Sequence, residues 1–272
     1  MPVPRLVLLV TILVSLLALA ACGGADEDQP LYLRDSEDAT PTGTPAPDAD
    51  GDAVPDATDA CPDTAERTGG LDFESPDGCP DSLAELVAFA AADIDDYWAT
   101  RLRGIAVGYV APELIPYREA VPTGCGPAPL DNAIYCGFDH TVYYDEALFE
   151  REFEVNGDFA PILILAHEWG HVVQAHIGFF ALENLYDIDY ELQADCMAGV
   201  YARNLNQRKL LALGDLDEAG ATLLNIGDDA GEVAWYDPGA HGTGEERTYA
   251  FQTGFEDGLS ICANVADAAR ER

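Results

Sequence analysis

From residue 82 onward the chain reads as an α+β fold, mainly helical with a small strand component. Five segments place apolar residues at helical spacing, one short β-branched and aromatic run reads as a strand, and neither a βαβ alternation nor an internal repeat occurs. With 272 residues and 48% hydrophobic content the chain can bury a core, which excludes global disorder.

The first helix covers SLAELVAFAAADIDDYWATRL, with Ser82 or Asp81 placed to cap it. ELIPYREA, from Glu113, reads as a short extended piece interrupted by Pro116. A Gly- and Pro-rich loop holding Cys125 and Cys136 leads into the strand HTVYYD at 140–145. Pro161 is expected to open the helix PILILAHEWGHVVQAHIG, and Gly178 to stop it. Further helices are predicted from about Tyr190 to Leu211, about Asp215 to Ile226 and roughly Gly244 to Leu259.

The segment before this domain is of a different kind. Residues 1–21 read as a signal sequence: Arg5 forms a thin positive region, and the apolar run Leu6 to Ala21 is short for a membrane span. The run ends in Leu19, Ala20, Ala21, Cys22, which resembles a bacterial lipobox. That resemblance implies a lipid on Cys22 that would hold the protein to a bacterial membrane, inner or outer, facing the periplasm or the exterior. The other reading is an ordinary signal peptide that leaves Cys22 free. Residues 22–47 are acidic and rich in Pro, Thr and Gly, the composition of a disordered tether.

In residues 48–81 the carboxylates Asp48, Asp50, Asp52, Asp56 and Asp59 crowd into a short stretch ahead of Cys61 and Cys79. A hard, oxygen-seeking cation neutralises such a group. The segment resembles a thrombospondin type 3 repeat, which implies structural Ca2+, although Ala53 stands where such repeats often have glycine. An acidic linker pinned by one disulfide is the alternative. Outside Cys22 there are six cysteines, an even number that suggests three disulfides in an oxidising compartment. Local spacing favours Cys61 with Cys79 and Cys125 with Cys136, leaving Cys196 for Cys262.

The balance of 50 acidic against 13 basic residues, with Lys209 the only lysine, gives a formal charge of −37 and makes nucleic acid an improbable partner.

Chemistry concentrates in HEWGH. His167 and His171 stand four residues apart, so on a helix they lie within about 40° of each other and can share one ion. Imidazole nitrogens suit Zn2+, and Glu168 is placed to take a proton from an activated water as it attacks a carbonyl. A third protein ligand is required. Glu191 and Asp195, again four apart, offer it: Glu191 is assigned to the metal and Asp195 to the free nitrogen of a bound histidine, with the two roles exchangeable. His241 or Arg247 can stabilise an oxyanion, or they are a turn histidine and a helix arginine in salt bridges. His176 is expected to point away from the ion and His140 to be structural or exposed.

Taken together, the cysteine pair 125 and 136 before VYYD, HEWGHVVQ at 167–174, ELQADCMAGVYA at 191–202 and HGTGEERTYAFQTGF at 241–255 resemble the bacterial neutral zinc metallopeptidases over roughly residues 83–265. The resemblance implies a zincin-like metallopeptidase domain at 82–272, with His167, His171 and Glu191 on zinc, Glu168 catalytic, and a peptide or protein as substrate. The competing expectation is a non-catalytic envelope lipoprotein with structural zinc and a calcium-binding spacer. Three evident protein ligands favour the enzyme, because structural zinc is normally closed by four.

Overall fold

A computed structural model describes residues 47–49, 55–58, 82–103, 108–183 and 185–270, without the side chains of 267, 268 and 270. The chain divides into units 1–45 and 46–272, and every described residue belongs to the second. The expectations for Cys22, Asp50, Asp52, Asp59, Cys61 and Cys79 fall outside the described residues.

Helix α1 (Leu83–Arg101) begins as the sequence requires: Ser82 Oγ accepts the Glu85 N–H at 3.3 Å and Glu85 returns the bond to the Ser82 N–H at 2.9 Å. Its Ala90, Ile94 and Trp98 form a buried stripe. The main sheet has three strands, β1 (Glu113–Tyr117), β4 (Ala133–Cys136) and β5 (Thr141–Asp145), in the order β1-β5-β4, while β2 (Pro122–Thr123) and β3 (Gly126–Pro127) form a small hairpin. β5 pairs parallel with β1 and antiparallel with β4. Pro116 does not interrupt β1, because an edge strand can leave one side without donors.

The remaining helices are α2 (Glu146–Asn156), α3 (Phe159–Ile177), α4 (Asp187–Arg208), α5 (Asp215–Ile226), α6 (Gly244–Asp257) and the short α7 (Val265–Arg270), reached through a 3-10 turn at Leu259–Asn264. α3 starts two residues before Pro161, which sits in the first turn, where its missing N–H has no intrahelical partner to lose. It stops where expected, at Gly178 with φ 74°. α4 begins at Asp187, ahead of the expected Tyr190. α2 was not expected; its charged sequence EALFEREFEVN buries only Leu148, Phe149 and Glu152. Among the described residues no helix is long and apolar enough to cross a membrane.

The core centres on α3, α4 and α6. α4 and α6 approach so closely that a Cβ at Gly199 would lie 1.9 Å from Phe251 O, and one at Gly254 would lie 1.9 Å from Cys196 O. The expected disulfides Cys125–Cys136 and Cys196–Cys262 are present, the second tying α4 to the 3-10 turn after α6.

At the start of α5 three carboxylates meet: Asp158, Asp215 and Glu218 bring oxygens within 4.8 Å of one another. Burial, reinforced by the charges of Asp158 and Glu218, pushes Asp215 up to about 7, although it accepts the Ala212 N–H at 2.8 Å. The native state therefore holds this proton to higher pH than the unfolded chain. The favourable contribution is complete in acid and lost as pH rises toward 7. Asp215→Asn is expected to gain stability over wild type between pH 5 and pH 8, by on the order of 1 kcal/mol after allowance for solvent screening. Urea unfolding of both proteins at the two pH values checks this; a difference that does not change with pH rejects it.

Candidate metal centre

α3 is apolar on nearly every side, so the histidine pair in its middle is drawn inward as the core forms, His167 buried and His171 partly buried. Across from it, α4 carries Glu191 and Asp195. The two helices can touch because the glycine of HEWGH, Gly170, faces the Ala194 backbone; a Cβ there would stand 2.8 Å from Ala194 Cα.

Three donors converge. His167 Nε2 lies 3.1 Å from Glu191 Oε2, and His171 Nε2 lies 3.4 Å from Glu191 Oε1. The imidazole rings stand perpendicular, 4.8 Å between centroids. Each ring is oriented from behind through its other nitrogen. His167 Nδ1 is 2.7 Å from Asp195 Oδ1, and His171 Nδ1 is 2.8 Å from Gln174 Oε1, whose own amide donates to Tyr190 O at 2.7 Å. Two imidazole nitrogens and a carboxylate aimed at one point, with the rings held from outside, fit Zn2+.

The electrostatics follow from burial against charge. Burial disfavours a charged His167, but Asp195 and Glu191 outweigh it and raise the imidazole to about 10. Burial likewise opposes charge on Glu191, and His171 and His167 overcome it, holding the carboxyl well below the usual range. Asp195, fully buried, is held down by Arg247, which donates through Nε at 2.8 Å and Nη2 at 2.9 Å. Arg247 is itself buried, and the neighbouring carboxylates keep it firmly protonated against desolvation.

Glu168 is buried beside this cluster, its Oε2 accepting the Tyr135 N–H of β4 at 2.7 Å. Together these groups line a cleft of about 1100 Å³, walled by β4, α2 and α5 on one side and by Phe180, Tyr190 and the loop Gly239–His241 on the other.

The structure thus brings His167, Glu168, His171, Glu191 and Asp195 together. His241 lies at the cleft rim, half-exposed, with its Nδ1 3.8 Å from Asp228 Oδ1. Arg247 also lines the cleft, but its Nε and Nη2 are engaged by Asp195: a buried carboxylate needs a counter-charge, and Arg247 supplies it. His176 bonds the Val110 N–H and Val172 O, and His140 bonds Val110 O and the Tyr135 hydroxyl, both away from the donor cluster. Sequence reasoning missed Gln174 and the Tyr135 amide. A polar residue three positions after His171 on an apolar helix was the available sign of the first; a backbone N–H leaves none.

Fold and site together define a mainly helical α+β domain with a histidine–carboxylate cluster that could hold a metal ion. The chain belongs to the family described as "Putative neutral zinc metallopeptidase", which it matches over residues 72–265. That match begins ten residues ahead of the expected domain start at 82, inside the stretch read as the calcium repeat. The chain is 33% identical over 200 residues to "Uncharacterized protein YpfJ" of Escherichia coli (strain K12), covering 65% of this chain and 69% of that one. It is 29% identical over 207 residues to an uncharacterized protein of Mycobacterium tuberculosis (strain ATCC 25618 / H37Rv), covering 64% and 68%. No solved structure matches.

Proposed function

We propose that this protein is a zinc-dependent peptidase that hydrolyses peptide bonds in a peptide or protein substrate, tethered to the outer side of a bacterial membrane through lipid on Cys22. The convergence of His167 Nε2, His171 Nε2 and Glu191 beside a buried glutamate in an open cleft carries this reading. Family membership supports it.

Zinc, when bound, supplies Lewis acidity that brings the pKa of water toward neutrality. Glu168 accepts the proton of the attacking water and returns it to the leaving amine. The Tyr135 N–H holds one of its oxygens, which leaves the other to face the cleft. Asp195 and Gln174 fix the tautomers of His167 and His171 so that both Nε2 lone pairs face Glu191. Because Arg247 is engaged by Asp195, the oxyanion role falls to His241 at the rim.

The aspartate-rich segment is proposed as a Ca2+ loop formed by Asp48, Asp50, Asp52, Asp56 and Asp59. The crowding of carboxylates in this short stretch carries that reading; Asp56 accepts the Ala49 N–H at 2.7 Å and donates its own N–H to Pro47 O at 2.9 Å.

Metal analysis by plasma emission, with hydrolysis of a casein-derived peptide mixture, tests the site. Wild type is expected to carry about one zinc per chain and to lose activity to a chelator, and Glu191→Ala to lose both metal and activity. Zinc retained in Glu191→Ala would remove Glu191 from the ligand set. Zinc without hydrolysis would favour a structural ion.

A further inference from the structure

The cleft presents apolar surface on both sides of the donor cluster. The stripe of α3 that carries His167 and His171 at four-residue spacing also carries Leu163, and Ile164 stands one turn before Glu168. Around these two, α2 contributes Leu148 and Val155, and α5 contributes Leu223 and Ile226. Leu148, Leu163, Ile164 and Leu223 are buried and form a floor, whereas Ile226 is half-buried and Val155 is 69% exposed. Val155 and Ile226 therefore offer a ligand accessible apolar surface at this end.

Past His171 the helix ends at Gly178, and a 3-10 turn, Phe179–Ala181, follows. Phe180, 48% exposed, lines the cleft there together with Tyr190, the residue before Glu191, their rings 5.2 Å apart and tilted by 32°. Phe179 meets Tyr190 edge-on at 5.5 Å, which braces this aromatic shelf. The two arginines that line the cleft are both engaged, Arg151 by Asp131 and Glu152 and Arg247 by Asp195. A chain terminus seated on either shelf would bring its charge onto apolar surface, which is unfavourable without a partner. At about 1100 Å³ the cleft has room for several residues of a chain.

Building on the peptidase reading, we propose that the cleft takes the interior of an extended polypeptide with large apolar side chains on both sides of the scissile bond. One side chain lies against Val155 and Ile226, the other against Phe180 and Tyr190. The enzyme is then an endopeptidase, and its substrates are apolar stretches of unfolded chain. Folded proteins bury such stretches, so they reach an open cleft only where the substrate has lost or never gained its fold.

The full chain is tested for binding as the zinc-loaded Glu168→Gln variant and for hydrolysis as wild type. Blocked peptides on a Gly-Ser background carry leucines in both halves, in one half or in neither. Calorimetry is expected to show the peptide with leucines in both halves binding about tenfold or more tightly than either single-half peptide. Val155→Asp is expected to abolish the gain from leucines in one half and Phe180→Asp the gain from the other half. Both residues are exposed, and thermal unfolding establishes that each variant is folded. Binding that ignores leucine content, or a folded variant that keeps both gains, overturns the proposal. So does wild-type release of single terminal residues, read by mass spectrometry. Hydrolysis at equal rates whatever the leucine content would overturn the inference and leave the peptidase reading standing. Leucine-dependent binding without hydrolysis of any peptide would uphold the two shelves and defeat the peptidase reading.

Discussion

Glu168→Gln is expected to retain about one zinc per chain and to lose peptide hydrolysis by about 10²- to 10⁴-fold. Glutamine has the same shape and an oxygen that can still accept the Tyr135 N–H, so the fold around β4 is undisturbed. It cannot accept and return a proton, and it lies outside the His167, His171, Glu191 donor set. Metal content and kcat/KM on a cleaved peptide separate the two effects. Turnover at the wild-type rate would remove Glu168 from the mechanism. Loss of zinc would mean that Glu168 serves the metal and not the water.

Asp195→Asn is expected to act on stability and on the metal together. Asp195 holds His167 Nδ1 at 2.7 Å and receives two bonds from Arg247, and all three side chains are buried. Neutralising the carboxylate leaves the Arg247 guanidinium without its counter-ion, a defect that costs roughly 3–5 kcal/mol. It also frees His167 to rotate, which is expected to weaken zinc binding roughly tenfold to a hundredfold. Adding Arg247→Met should recover part of the stability and none of the zinc affinity, because the stranded charge is removed while the ring remains unsupported. Urea unfolding with chelator present, together with zinc competition titrations, reads the two quantities apart. A double variant no more stable than Asp195→Asn would show that Arg247 is not there to balance Asp195.

Much of this site was legible before any coordinates. The four-residue spacings of His167 with His171 and of Glu191 with Asp195 each place a pair on one helical face, because helix geometry is local. The Ser82 cap, the Gly178 stop and α5 followed from equally local rules. Boundaries were less legible: α3 reaches back past Pro161 and α4 past Tyr190, since first-turn N–H groups need no intrahelical partner and the pattern alone does not mark where the turn begins. α2 escaped notice because its apolar residues are few, and β4 because four residues carry too little periodicity.

What the sequence determined by itself is the set of groups able to hold a metal and move a proton, together with the Cys125–Cys136 pairing, because these follow from residue type and short-range spacing; Cys196–Cys262 followed only as the pair left over. Tertiary structure alone decided which partner each group has. Gly170 on Ala194 brings α3 against α4, and the close approach of α4 to α6 at Gly199 and Gly254 delivers Arg247 to Asp195 across 52 residues of chain. The same packing directs the Tyr135 amide to Glu168. Such pairings depend on how closely backbones can pass, and that distance is set by side chains far apart in sequence.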